Sequence, residues 1–259
     1  MWWTKEKLKA RVQELSSYRY RDRREIREFR WRLDPEGQVG ARPPKDDEWQ
    51  TRRLGGRWEG RDLYAWLQAD VTLPTEWAGK QVLGLFDFGR TGGGHNSGFE
   101  SLLFVDGIPY QGVDSNHQEV FFGPENVGRT ISLTFRLWSG LEGGGPPRVQ
   151  EHRIQQAEIA WLDPIVDDLY FWAQAIVETL DVLDQNQPEY HKLLQTLDRA
   201  LQQLDWTKPG SDSFYASTEL ARTTLKEYLS RLPKNHPVVI HCIGHTHIDV
   251  AWLWRLKHT

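Results

Sequence analysis

The stretch Ser101-Leu-Leu-Phe-Val-Asp-Gly-Ile-Pro-Tyr110 sets an Asp-Gly pair, Asp106–Gly107, between two apolar runs. The favoured two-residue hairpin turn needs a positive φ at both central positions, which Gly adopts freely and Asp tolerates, so an antiparallel hairpin is expected here. Runs of the same β texture lie on both sides: YAWLQADVTL at 64–73, QVLGLFDFG at 81–89, EVFF at 119–122 and TISLTFRLW at 130–138, with Gly, Pro and Asn clusters between them. Several short strands with turn signals between them predict an antiparallel sandwich over residues 49–163. The glycine-rich stretches RTGGGHNSG at 90–98 and SGLEGGGPPR at 139–148 read as surface loops. The first lacks the GxxxxGK[ST] pattern of a phosphate cradle, and no helical pattern follows it.

Upstream, residues 1–33 hold eleven basic and five acidic side chains. Leu8, Val12 and Leu15 fall at helical spacing behind Thr4, a residue suited to the N-cap, and predict an amphipathic helix over about 4–16. The continuation YRYRDRREIREFRWRL fits a strand, a helix or an RNA-facing arm, and residues 1–48 are set apart as an N-terminal helix and basic segment. Downstream, the apolar period changes from two to 3.6. Ile165, Leu169, Trp172, Ile176 and Leu180 mark one helix with Pro164 in its first turn. Tyr190, Leu193, Leu194, Leu197, Leu201 and Leu204 mark a second, and a third runs from Ser217 to Leu232, stopped by Pro233. Residues 164–234 are thus expected to be a helical connector.

Composition narrows the function. A chain of 259 residues suits about two domains and can bury a sizeable core. The net charge of −4 provides no bulk positive field for nucleic acid. No apolar run is long enough for a membrane-spanning helix, and the N-terminus lacks the apolar core of a signal peptide. Cys242 is the single cysteine, so no intrachain disulfide forms and a reducing cytoplasm is the expected compartment. Thirteen Trp is many for this length. Indoles stack on sugar C–H faces but also fill cores, and the core reading is preferred for most of them.

The chemistry gathers near the C-terminus, in PVVIHCIGHTHIDVAWLW at 237–254. The apolar run Val238–Ile243 predicts a strand buried on both faces, as in a parallel sheet, within a further domain at 235–259. At its mouth stand His245, His247 and Asp249. Alternate residues of a strand share a face, so imidazole and carboxylate converge in a donor set suited to zinc. The competing reading is a hydrogen-bond network of ordinary histidines. His241 and His258 read as background.

The segment HCIGHTHIDVAWLWRLKHT resembles the opening of the catalytic domain of glycoside hydrolase family 38, the retaining α-mannosidases, and VDGIPYQGVDSNHQEVFF at 105–122 is similar to the N-terminal sandwich of their bacterial and fungal cytosolic branch. The resemblance implies a multidomain α+β chain: a jelly-roll-like β-sandwich, a helical connector, and the first strand of an α/β barrel cut off at Thr259. It places the zinc ligands on His247 and Asp249 and the substrate-stacking indole on Trp252. His245 matches a motif histidine that does not ligate zinc. The nucleophile and the acid/base of the family would lie beyond Thr259, so these residues alone are expected to be inactive. Mannose-containing oligosaccharides are the implied substrates, one Zn²⁺ or another divalent ion such as Co²⁺ the implied cofactor, and a homo-oligomer the implied form of the full-length enzyme. Asp114, Asn116 and His117 are candidates to face the active-site side.

Two other classes compete. Metal-dependent amidohydrolases also open on HxH after a first strand, with His245 and His247 both ligating. A free-standing carbohydrate-binding sandwich would use Trp49, Trp58, Trp66, Trp77 and Trp138 as stacking residues, against a core-filling role that is preferred.

Overall fold

The computed structural model describes residues 4–45, 48–89, 99–140, 147–232 and 238–244. The chain is mixed α/β, with mostly antiparallel sheets and four α-helices, and no closed barrel occurs among the described residues. It divides into two compact units: residues 22–161 form a β unit, and residues 4–21 with those of 162–244 form a helical unit.

The β unit is built on twelve strands: β1 Tyr20–Glu25, β2 Glu28–Asp34, β3 Gln50–Arg53, β4 Arg57–Gly60, β5 Tyr64–Thr72, β6 Gln81–Asp87, β7 Glu100–Val105, β8 Ile108–Asp114, β9 Glu119–Phe121, β10 Thr130–Trp138, β11 Gln150–Arg153 and β12 Gln156–Leu162. They pair as a six-stranded sheet in the order β3-β2-β5-β10-β7-β8, a four-stranded sheet β1-β12-β6-β9 and a two-stranded ribbon β11-β4. Alternation decides which face is buried. Ala65, Leu67, Ala69 and Val71 of β5 point inward with Ile131, Leu133, Phe135 and Leu137 of β10, and they meet Phe86, Phe88, Ala157 and Ile159 in one core. Phe135 touches Phe86 and Phe88 edge-on, with ring centroids 4.8 and 4.7 Å apart. Each such buried ring stabilises the fold by roughly 1.5–3 kcal/mol.

The expected hairpin at Asp106–Gly107 joins β7 to β8. Asp106 has φ +50° and Gly107 φ +79°, the pair of positive values that a primed turn demands. The basic segment differs from its sequence reading as a unit of its own. Its Arg-rich part forms β1 and β2, with Phe29 and Trp31 facing the core and the intervening arginines paired to acids, Arg30 to Asp70 at 2.7 Å and Arg23 to Glu158. Neighbouring carboxylates take up part of this positive charge. The loop expected at 90–98 lies outside the described residues, as do residues 141–146 of the second.

The helical unit comprises α1 Thr4–Ser16, α2 Pro164–Val182, α3 Pro188–Gln202 and α4 Asp212–Ser230. Leu8, Val12 and Leu15 of α1 pack with Leu169, Ile176 and Leu180 of α2, Leu197 and Leu201 of α3, and Phe214 and Leu225 of α4. Asp163 caps α2, its Oδ1 accepting from the backbone N–H of Ile165 and of Val166, both at 3.1 Å, with Pro164 at the first helical position. The third helix starts five residues before the expected Ser217, because Ser211 supplies its N-cap by accepting from the Phe214 N–H at 3.3 Å. One expectation is corrected: residues 238–244 form no strand, and Val238, Val239, Ile240 and Ile243 are 61–84 % exposed rather than buried. An apolar run becomes a buried strand only where neighbouring strands take up its N–H and C=O groups, and the run itself does not specify them. No helix among the described residues is long and apolar enough to cross a membrane.

Candidate functional site

The residues singled out for metal and sugar, His247, Asp249 and Trp252, lie outside the described residues, and so does His245. Among the described residues no group of three or more His, Cys, Asp or Glu side chains is placed to hold a metal ion. Of the five candidate stacking indoles, Trp58, Trp66 and Trp77 are buried. Trp77 Nε1 donates to Asp22 Oδ2 at 2.8 Å and Trp58 Nε1 to the Phe88 carbonyl at 2.9 Å, so both indole N–H groups find their acceptors within the fold. Trp49 and Trp138 stay partly open.

Strand register places Trp138 in a chemically dense row. Directly opposite partners across five strands run Asp34 on β2, Tyr64 on β5, Trp138 on β10, Glu100 on β7 and Asp114 on β8. All belong to the outward face of the six-stranded sheet, opposite the core residues of the same strands. Tyr64 and Trp138 stack at 6.3 Å with 25° between ring planes, and Trp138 Nε1 donates to Asp62 Oδ1 at 3.0 Å. Arg136, one row along, lies over Tyr64 at 4.7 Å and donates from Nη2 to Asp34 Oδ2 at 2.7 Å. At the other end, Asp114 Oδ1 accepts from the backbone N–H of Asn116 at 2.6 Å and of His117 at 2.9 Å, while His117 Nδ1 sits 3.0 Å from Asp114 Oδ2.

The electrostatics follow from these neighbours. Desolvation and then the adjacent Asp114 push the Glu100 carboxyl above its usual value, although the residue as a whole is open to solvent. Desolvation also acts to raise Asp114, but the His117 ring and the two backbone N–H groups outweigh it and hold that carboxyl low. Burial raises the Tyr64 phenol, with Arg136 drawing it back. An aromatic pair flanked by carboxylates can pack on an apolar ring face while accepting hydrogen bonds from hydroxyls. Tyr64, Glu100 and Asp34 were missed in the sequence because only the pairing order β2-β5-β10-β7-β8 aligns them.

Two further features lie in the β unit. His152 stacks on Trp58 at 4.1 Å, and its ring nitrogens face the carbonyls of Gly89 at 3.4 Å and Ser139 at 3.0 Å, so one buried imidazole ties the end of one chain segment to that of another. A cleft of about 710 Å³ is lined by β2 and β3 on one side and by the β4–β11 ribbon on the other, including Trp31, Trp58 and Glu151.

The fold alone defines a mixed α/β chain without assigning chemistry, and comparison with known proteins supplies the class. No protein-family model matches the chain. Alpha-mannosidase 2C1 of Mus musculus is 23 % identical over 207 residues, covering 75 % of this chain and 18 % of the relative, and the Homo sapiens protein of that name aligns equally. Alpha-mannosidase G of Dictyostelium discoideum is 21 % identical over 228 residues, 82 % of this chain and 20 % of the relative. The chain is thus related to glycoside hydrolases. Its curated relatives are α-mannosidases, in agreement with the resemblance read from residues 105–122 and 241–259, and it spans about a fifth of their length. Among solved structures, β-glucuronidase from Ruminococcus gnavus superposes with a TM-score of 0.39–0.40 at 11–12 % identity, over 56 % of this chain and 30 % of that one, a likeness too small to carry an argument.

Proposed function

We propose that the chain is the N-terminal part of a retaining, zinc-dependent α-mannosidase of glycoside hydrolase family 38 that removes terminal α-D-mannosyl residues from oligosaccharides. The observation that carries this reading is the match to curated α-mannosidases over 75–82 % of the chain. In it the β unit is the jelly-roll-like sandwich, residues 164–234 are the connector, and residues 235–259 open the catalytic α/β barrel. The work takes place in the cytoplasm, in keeping with a lone Cys242 that is free and exposed.

The donor set of His247 and Asp249, an imidazole nitrogen and a carboxylate oxygen, fits zinc. These two residues would hold the ion, which when bound would supply Lewis acidity and a template for vicinal hydroxyls. Trp252 packs its indole face on the C–H surface of the sugar and fixes the ring's orientation. Retention requires two carboxyls about 5–5.5 Å apart across the scissile bond. Asp249 is committed to the metal in this reading, so the attack and the proton transfer fall to other carboxyl groups.

The test follows the anomer first released from an aryl α-D-mannoside by the full-length protein, using proton NMR. The α anomer is expected, with turnover lost on chelation and restored by zinc. First release of the β anomer would contradict retention, and turnover that survives chelation would contradict the metal.

A further inference from the structure

We infer that the cleft between β2–β3 and the β4–β11 ribbon is a saccharide-binding site. Its volume of about 710 Å³ lies within the range of small-molecule sites and suits two sugar rings. Trp31 and Trp58 line it side by side, with ring centroids 6.0 Å apart. Both are 4 % exposed, yet they differ in one respect. The Trp58 indole N–H is spent on the Phe88 carbonyl, whereas that of Trp31 has no acceptor among the described residues. A buried indole N–H normally finds a partner. The cleft is where a ligand oxygen can supply one.

The ribbon adds a second, independent observation. Register sets Glu59 directly opposite Glu151 and Arg57 directly opposite Arg153. Like charges directly opposite each other across a strand pair cost stability. Arg57, Glu59 and Glu151 all line the cleft, and none has an ion pair among the described residues. The carboxylates accept and the guanidinium and the Gln50 amide donate, which is the mixture that sugar hydroxyls, each both donor and acceptor, satisfy. Opposite charges are balanced around the cleft, so neither an anion nor a cation is favoured over a neutral polyhydroxylated ring.

Isothermal titration calorimetry of the 259-residue chain with α-mannobiose and with cellobiose tests this. At least one disaccharide should bind. The variant Glu59→Gln/Glu151→Gln should weaken binding by about tenfold or more, as expected for losing hydrogen bonds to charged groups, with no loss of thermal stability. Trp31→Phe, which removes the N–H together with the five-membered ring of the indole, should weaken it severalfold. If that variant does not fold, the exposed glutamates carry the test alone. Binding of neither disaccharide, or binding unchanged in the glutamate variant, overturns the proposal. Binding is read here without turnover, so its failure leaves the mannosidase reading intact, and absence of mannoside hydrolysis leaves the cleft standing.

Discussion

Arg136 shows how a single residue can organise the outward face of the six-stranded sheet. Its side chain is 10 % exposed and that of Asp34 13 %, and both Nε at 3.1 Å and Nη2 at 2.7 Å reach the same carboxylate oxygen. Removing one partner of a buried pair strands the other charge, so Arg136→Met is expected to cost about 3 kcal/mol in urea unfolding. Adding Asp34→Asn should recover part of that loss, and no recovery would mean that packing on Tyr64 and Trp66, not charge, holds the residue. His152 gives a pH signature. Burial, the larger influence, holds its ring below the ordinary value of 6.5, while the carbonyls of Ser139 and Gly89 oppose this. The unfolded chain therefore binds the proton more readily, so this contribution to stability is complete above about pH 6.5 and is lost as pH falls through the folded value. Thermal midpoints measured down that range should decline less steeply in His152→Gln than in the wild type. Helix-face residues such as Leu8, Val12 and Leu15 were legible in the sequence because spacing alone defines a helical face. The Arg136–Asp34 pair spans 102 positions and becomes visible only once β2, β5 and β10 are known to be neighbours.

At the scale of elements, caps and turns decide where structure starts. Asp163 is buried at the head of α2, accepts from two orphan N–H groups and lies 3.3 Å from Arg21. Asp163→Ala should destabilise the helical unit by about 1 kcal/mol or somewhat more, read as a lower urea midpoint with unchanged slope. An unchanged midpoint would show that Pro164 and tertiary packing suffice to start the helix. The period in 163–183 revealed this helix, as Asp106–Gly107 revealed the β7–β8 hairpin, because both signals are local. The segment YRYRDRREIREFRWRL carries no such local signal. Alternating arginine and aromatic residues satisfies several templates, and β1 and β2 exist because β12 and β5 pair with them. Residues 238–244 show the opposite failure: an apolar run long enough for a strand, exposed and without regular structure.

For the whole molecule, the β unit and the helical unit each enclose a core of their own, and the relatives are α-mannosidases of which the chain spans about a fifth. The metal and substrate residues expected at His247, Asp249 and Trp252 rest on a local motif and its resemblance and lie outside the described residues, whereas the row from Asp34 to Asp114 needed five strands in register. The central claim is that this chain serves α-mannoside hydrolysis through His247 and Asp249. Its most direct test is the initial rate at which the full-length protein, wild type and Asp249→Asn, cleaves p-nitrophenyl α-D-mannoside, with the β-D-glucuronide as comparison. The account predicts cleavage of the mannoside alone and its loss in the variant. Cleavage of the glucuronide instead, or a mannoside rate untouched by Asp249→Asn, would contradict it.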